Sequence, residues 1–168
     1  MQDKGLGVTF EYTAQNTPQQ NGKVKRTFAT LYSRMRAMME AAGFEYDRQL
    51  ELWRKAASTA TKLSNIMVTK STEKSHHKRF FGIKPKIVDN LRTFGDLLVV
   101  TANPGPTIKG KIEDRGILCV FLGYAAGHDG KTYRMLNLKT RKVLLTRDVK
   151  WLHKFYAQKK NTVSQVYS

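Results

Sequence analysis

The spacing of apolar residues changes character twice along the chain, and each change marks a different kind of element. In residues 7–12, Phe10 and Tyr12 alternate with polar neighbours, as a short extended segment would. Pro18 and Asn21-Gly22 then break the chain ahead of a helix. From about Lys23 the apolar residues Val24, Phe28, Leu31, Met35, Met38 and Ala42 recur at alternating spacings of four and three. That is one face of a helix, and Gly43 is a suitable terminator. A second stripe of Leu50, Trp53, Ala57, Ala60, Ser64 and Met67 predicts a helix from Asp47 to about Met67. Met and aromatic residues at helical spacing are read as core packing, not as a cofactor site.

Residues 68–88 are polar and basic, contain Gly82 and Pro85, and read as a connector with a short helix around Lys78, Arg79, Phe80 and Phe81. Past residue 90 the pattern becomes β. Residues 97–101, 117–124, 132–138 and 143–151 are rich in Val, Leu, Tyr and Phe. Turn chemistry separates them at residues 103–106, 127–130 and 139–141. Several short strands with tight turns predict a small antiparallel barrel, folded independently of the helices, with a frayed end from residue 156.

Charge adds the first functional indication. Thirty Lys and Arg against thirteen Asp and Glu give +17. The excess is spread along the chain, +8 in residues 1–85 and +9 in residues 86–168. A folded chain this basic repels itself, so a polyanionic partner is expected, with plain solubility as the alternative. The 40% hydrophobic fraction argues against a disordered tail. The single cysteine, Cys119, excludes an intrachain disulfide and sits in an apolar run, where a small buried hydrophobe is the better reading than a nucleophile. With no signal peptide and no stretch approaching a membrane span, nucleus or cytoplasm is expected, without a membrane partner.

Catalytic chemistry does not announce itself. His76, His77, His128 and His153 lack partners at zinc-ligand spacing. Gly5 and Gly7 form a G-x-G without the third glycine of a dinucleotide fingerprint. The adjacent acids Glu113 and Asp114 lie among Lys and Arg and read as a solvated or ion-paired loop.

A set of motifs in order carries a resemblance. Thr17-Pro18-Gln19-Gln20-Asn21-Gly22 running into a basic helix is similar to the T-P-Q-Q-N-G stretch of copia-type retrotransposon integrases. Leu52-Trp53-Arg54-Lys55-Ala56-Ala57-Ser58-Thr59-Ala60 resembles that family's F-W-x-E-A-x-x-T-A helix. Phe81-Gly82-Ile83-Lys84-Pro85 and Leu91-Arg92-Thr93-Phe94-Gly95 resemble its G-x-K-P and L-R-x-F-G segments. Residues 111–116, Phe121-Leu122-Gly123-Tyr124, Tyr133-Arg134 and Thr146-Arg147-Asp148-Val149 resemble its SH3-like part. The resemblance spans roughly residues 5–152.

It implies an α+β fold: a helical C-terminal remnant of an RNase H-like core over residues 1–67, a basic connector over 68–89, a small antiparallel SH3-like β-barrel over 90–155, and a tail over 156–168. It also implies Mg- or Mn-dependent strand transfer by two Asp and one Glu, because such chemistry needs an oxygen cage around the ions. Here Lys25 stands where the family has the Glu. At ~4 Å and an effective dielectric of ~20, a unit-charge pair is worth on the order of 4 kcal/mol, so a cation there repels the ion. The upstream aspartates are expected before residue 1, since Asp3 lies too near Lys25. The expectation is therefore a truncated, catalytically inactive member with no cofactor.

What remains is nucleic-acid binding. Gln19, Gln20, Asn21, Lys23, Lys25 and Arg26 at the start of the first helix suit phosphate contacts. In the barrel, Arg134 and Arg141, with Lys131, Tyr133, Lys139, Lys142 and Arg147, form a basic strand surface that could track a backbone. The expected partner is DNA, or RNA, bound without sequence preference. Self-association is also expected, through apolar helix faces left bare at Val24, Phe28, Leu31 and Trp53. Two other readings compete: a protein-interaction module built on the SH3-like barrel, and an active transferase, against which Lys25 argues.

Overall fold

The computed structural model describes residues 21–68, 73–101, 116–128 and 130–158 in full, and residues 2–3 and 8–9 as backbone. It is a mixed α+β structure. Two short strands, β1 (Gln2–Asp3) and β2 (Val8–Thr9), pair antiparallel. Helices α1 (Gly22–Ala42), α2 (Tyr46–Ile66) and α3 (His76–Phe81) follow, then a 3-10 turn at Lys86–Asn90. Five strands complete the fold: β3 (Asp96–Thr101), β4 (Gly116–Tyr124), β5 (Tyr133–Asn137), β6 (Val143–Thr146) and β7 (Val149–Phe155). They form one antiparallel sheet in the order β6-β5-β4-β3-β7. The long apolar segment expected at residues 143–151 is thus two strands, parted at Arg147-Asp148.

α1 ends as its sequence suggests. Gly43 adopts the left-handed conformation (φ 73°), and its N–H reaches the carbonyls of Met39 and Glu40. The tight turn sends the chain back antiparallel as α2. Asn21 caps the start of α1 by position only, since its side chain makes no capping hydrogen bond.

The sheet is covered on both faces. On one side Leu97, Val120, Leu122 and Leu136 pack with Met39, Ala42, Leu52 and Ala56 of the helices, with Phe44 between them and with Phe94. On the other, Leu98, Val100, Cys119, Phe121, Tyr124, Tyr133 and Met135 form a second core, joined by Trp151 and Leu144. β4 is buried without a break from Cys119 to Tyr124 because alternate residues serve alternate cores. The helices and the sheet thus share a core, whereas the sequence led to a barrel folded independently of the helices.

Two further expectations change. The buried face of α2 is Leu52, Ala56, Thr59 and Ala60, whereas Leu50 and Trp53 of the expected stripe are 56% and 43% exposed. Of the tail expected over 156–168, Tyr156–Gln158 form a 3-10 turn and the rest lies outside the described residues. Tyr156 donates its N–H to the Gly95 carbonyl and lays its ring against Phe44, centroids 4.7 Å apart. By contrast Val24, Phe28 and Trp53 are exposed, as expected of the bare helix faces, and Leu31 is half-buried.

Candidate nucleic-acid interface

The first turn of α1 carries Lys23, Lys25 and Arg26, all exposed, with no acidic residue in that turn. Cations at the positive end of a helix dipole are unfavourable, typically by about 0.3–1 kcal/mol each, and an anion placed there relieves the repulsion. None of the three is ion-paired with a described residue, unlike Arg48 with Glu51 or Lys84 with Asp89. Helical phase divides them. Lys23 and Arg26 are three residues apart and share a face, while Lys25 points roughly 160° away from Lys23. A single duplex backbone can therefore lie along Lys23 and Arg26 more readily than along all three. Gln19 and Gln20 lie outside the described residues, and Asn21 is exposed beside this turn.

The β5–β6 connection is a built turn. The Asn137 side-chain oxygen accepts from the N–H groups of Lys139 and Thr140 at 2.8 and 3.0 Å, and Arg141 takes a left-handed conformation, φ 60°. Lys139, Arg141 and Lys142 stand exposed on it. Arg134 sits at the other end of the hairpin, opposite Leu145 and half-buried. The structure thus does not bring Arg134 and Arg141 together, although they share a hairpin. Tyr133 leaves the expected surface altogether. It is buried, with its ring edge-on to Phe121 and Trp151 at 5.9 and 5.2 Å, so it cannot stack on a base.

The residues that fix this arrangement went unnoticed in the sequence. Thr59 donates its hydroxyl to the Leu122 carbonyl at 2.7 Å, and Lys62, one turn on, donates to the Tyr124 carbonyl at 2.8 Å. These bonds pin α2 onto β4 where its pairing with β5 slips between Phe121 and Gly123. The slip is a bulge that returns Tyr124 to the face of Phe121. Gly123 has φ 132°, and a Cβ added there would stand 2.1 Å from the Thr59 hydroxyl oxygen. Only glycine admits the helix this closely. Burial lowers the Lys62 pKa, and the nearby Arg134 charge lowers it further. That places two cations together beside the end of β4.

Elsewhere the titrating groups are structural. The Tyr124 hydroxyl accepts from the Arg92 N–H at 2.8 Å and donates to the Asn90 carbonyl, and burial pushes its pKa to about 12. Burial pushes the Cys119 thiol to about 11, which suits an inert core residue and not a nucleophile. Asp96 is raised, chiefly by burial. Among the described residues no group of three or more His, Cys, Asp or Glu could hold a metal ion, and no helix is long and apolar enough to cross a membrane. Among the described residues the first turn of α1, which holds Lys25, has no acidic residue that could ligate a metal.

The likeness to known proteins lies in the part of the chain that forms this five-stranded antiparallel sheet. Residues 99–165 match the family model of the retroviral polymerase SH3-like domain, from within β3 to beyond β7. Over 143 residues, 85% of its length, the chain is 28% identical to the retrovirus-related Pol polyprotein from transposon TNT 1-94 of Nicotiana tabacum. The aligned region is 10% of that polyprotein, so the chain spans about a tenth of its relative. No solved structure matches the chain.

Proposed function

We propose that this chain is the rear part of a copia-type integrase, binding DNA through its backbone phosphates and not performing strand transfer. The observation that carries the binding is the first turn of α1: exposed cations, no acidic residue, and the positive end of a 21-residue helix. The order of motifs and the similarity to a transposon Pol polyprotein supply the integrase context. Arg141 on its rigid turn and Arg134 beside Lys62 extend the positive surface onto the sheet. Lys25 carries the argument against catalysis, since a cation at the family's carboxylate position opposes a divalent ion whatever precedes the chain.

The test is an electrophoretic titration of blunt duplexes over a salt series. Each phosphate contact contributes about 0.9 to the log–log slope. Lys23→Gln with Arg26→Gln is expected to shallow the slope by about 1.8, equally for unrelated sequences, and Lys25→Gln alone by less. An unchanged slope in the double variant removes α1 from the interface. Incubation of the same duplexes with Mg²⁺ or Mn²⁺ should give neither nicks nor joined products, and either product would overturn the inactive reading. A chain that binds no duplex at low salt would favour the protein-interaction alternative, for which the exposed Val143 and Leu145 on edge strand β6 are the natural contacts.

A further inference from the structure

Two hollows lie among the three helices. One, of about 300 Å³, lies between α1 and α2 and is lined by Thr27, Thr30, Arg34, Ser64 and Asn65, reaching His76. The other, of about 610 Å³, continues from Asn65 and His76 to His77, Arg79, Phe80 and Phe81. Asn65 and His76 line both, so the two hollows are neighbours along a strip of surface from α1 to α3, hereafter the trough.

Its chemistry is uneven along its length. At the α1 end Arg34 donates to the Ser64 hydroxyl, and among the described residues no carboxylate pairs with it. Thr27, Thr30 and Ser64 spend their hydroxyl protons on carbonyls one turn back, so Arg34 is the donor left at this end. At the α3 end Phe80 and Phe81 are 83% and 61% exposed, their rings edge-on at 4.8 Å. They are not loose. His77 lies against Phe81 at 4.6 Å and its ring nitrogen meets the Ile83 carbonyl at 3.3 Å. Lys78 and Arg79 flank them, and α3 has no acidic residue.

We infer that this trough holds a single strand of DNA, with unpaired bases stacked on Phe80 and Phe81 and a phosphate at Arg34. Stacking needs a free base face, which a duplex hides, and cations beside aromatic rings are the usual composition of a single-strand platform. A second copy of the chain is a poor occupant, because Lys78 and Arg79 would meet their own like charges. The inference rests on the proposed function only in taking DNA as the partner, and it uses residues that the duplex surface does not.

Fluorescence polarisation with a labelled oligothymidylate and, separately, a blunt duplex separates the two. Phe80→Ala with Phe81→Ala is expected to weaken the single strand about tenfold or more and to leave the duplex unchanged. Phe80→Tyr with Phe81→Tyr should restore binding, since it keeps a ring to stack on. An abasic strand should bind the unaltered chain as weakly as oligothymidylate binds the alanine variant. Equal losses on strand and duplex, no loss on the strand, failure of the tyrosine variant, or tighter binding of oligouridylate would each overturn the assignment. Loss of duplex binding in the Lys23 and Arg26 variant with the strand unaffected supports both surfaces. A duplex that never binds, with a strand that does, sinks the duplex reading alone.

Discussion

At the scale of single residues, Gly123 shows how much a motif can say without giving its reason. Phe121-Leu122-Gly123-Tyr124 is recognisable as a family mark, yet what demands the glycine is Thr59, whose bond to Leu122 crosses 63 positions of sequence. No local pattern carries that information. Cys119 is the opposite case: an unbroken apolar neighbourhood already identifies a buried thiol, and burial raises its pKa as that reading requires. Gly123→Ala should destabilise the fold by at least about 2 kcal/mol, since it meets both an unfavourable φ and a steric overlap with Thr59. Thr59→Val keeps the shape but leaves a buried carbonyl without its donor, a loss of about 1–3 kcal/mol. Urea unfolding measures both. A Gly123→Ala chain as stable as the parent would mean that α2 does not sit on the bulge.

Among the elements, α1, α2, β3, β4 and β5 were legible to within a residue or two, because their periods are local properties, whereas residues 143–155 hold two strands where one was read. Which side of α2 is buried was not legible. Periodicity favours the stripe through Leu50 and Trp53, but the sheet takes Leu52, Ala56, Thr59 and Ala60. The reason is steric and polar together. Small side chains at positions 56 and 60 let the helix come close, and Thr59 counts as polar by composition while answering a buried carbonyl. The basic turn of α1 was legible as charge, but its division into a Lys23–Arg26 face and a separate Lys25 follows only from helical phase. Leu52→Ala should therefore cost about 2–5 kcal/mol, as core truncations do. Trp53→Ser should cost less than about 1 kcal/mol. The reverse order in denaturant titrations would restore the stripe read from the sequence.

For the whole molecule, one signal was present and pointed further than it was followed. The run Ile117-Leu118-Cys119-Val120-Phe121-Leu122 does not alternate, and a strand without polar positions must be covered on both faces. A free barrel covers one face only, so the run required another layer, which α1 and α2 supply through Met39, Ala42, Leu52 and Ala56. Sharing a core couples the parts energetically: stripping the helices from the sheet would expose Leu97, Val120, Leu122 and Leu136 at once. Helix and sheet should then unfold in one cooperative transition. Far-UV circular dichroism follows chiefly α1 and α2, while the fluorescence of Trp151, in the core on the far side of the sheet, follows the strands once Trp53→Phe removes the other indole. Coincident midpoints and slopes from the two probes in urea are expected. A helical signal lost at lower urea, with the Trp151 environment intact, would show that the SH3-like sheet stands alone and that the helices are only laid against it.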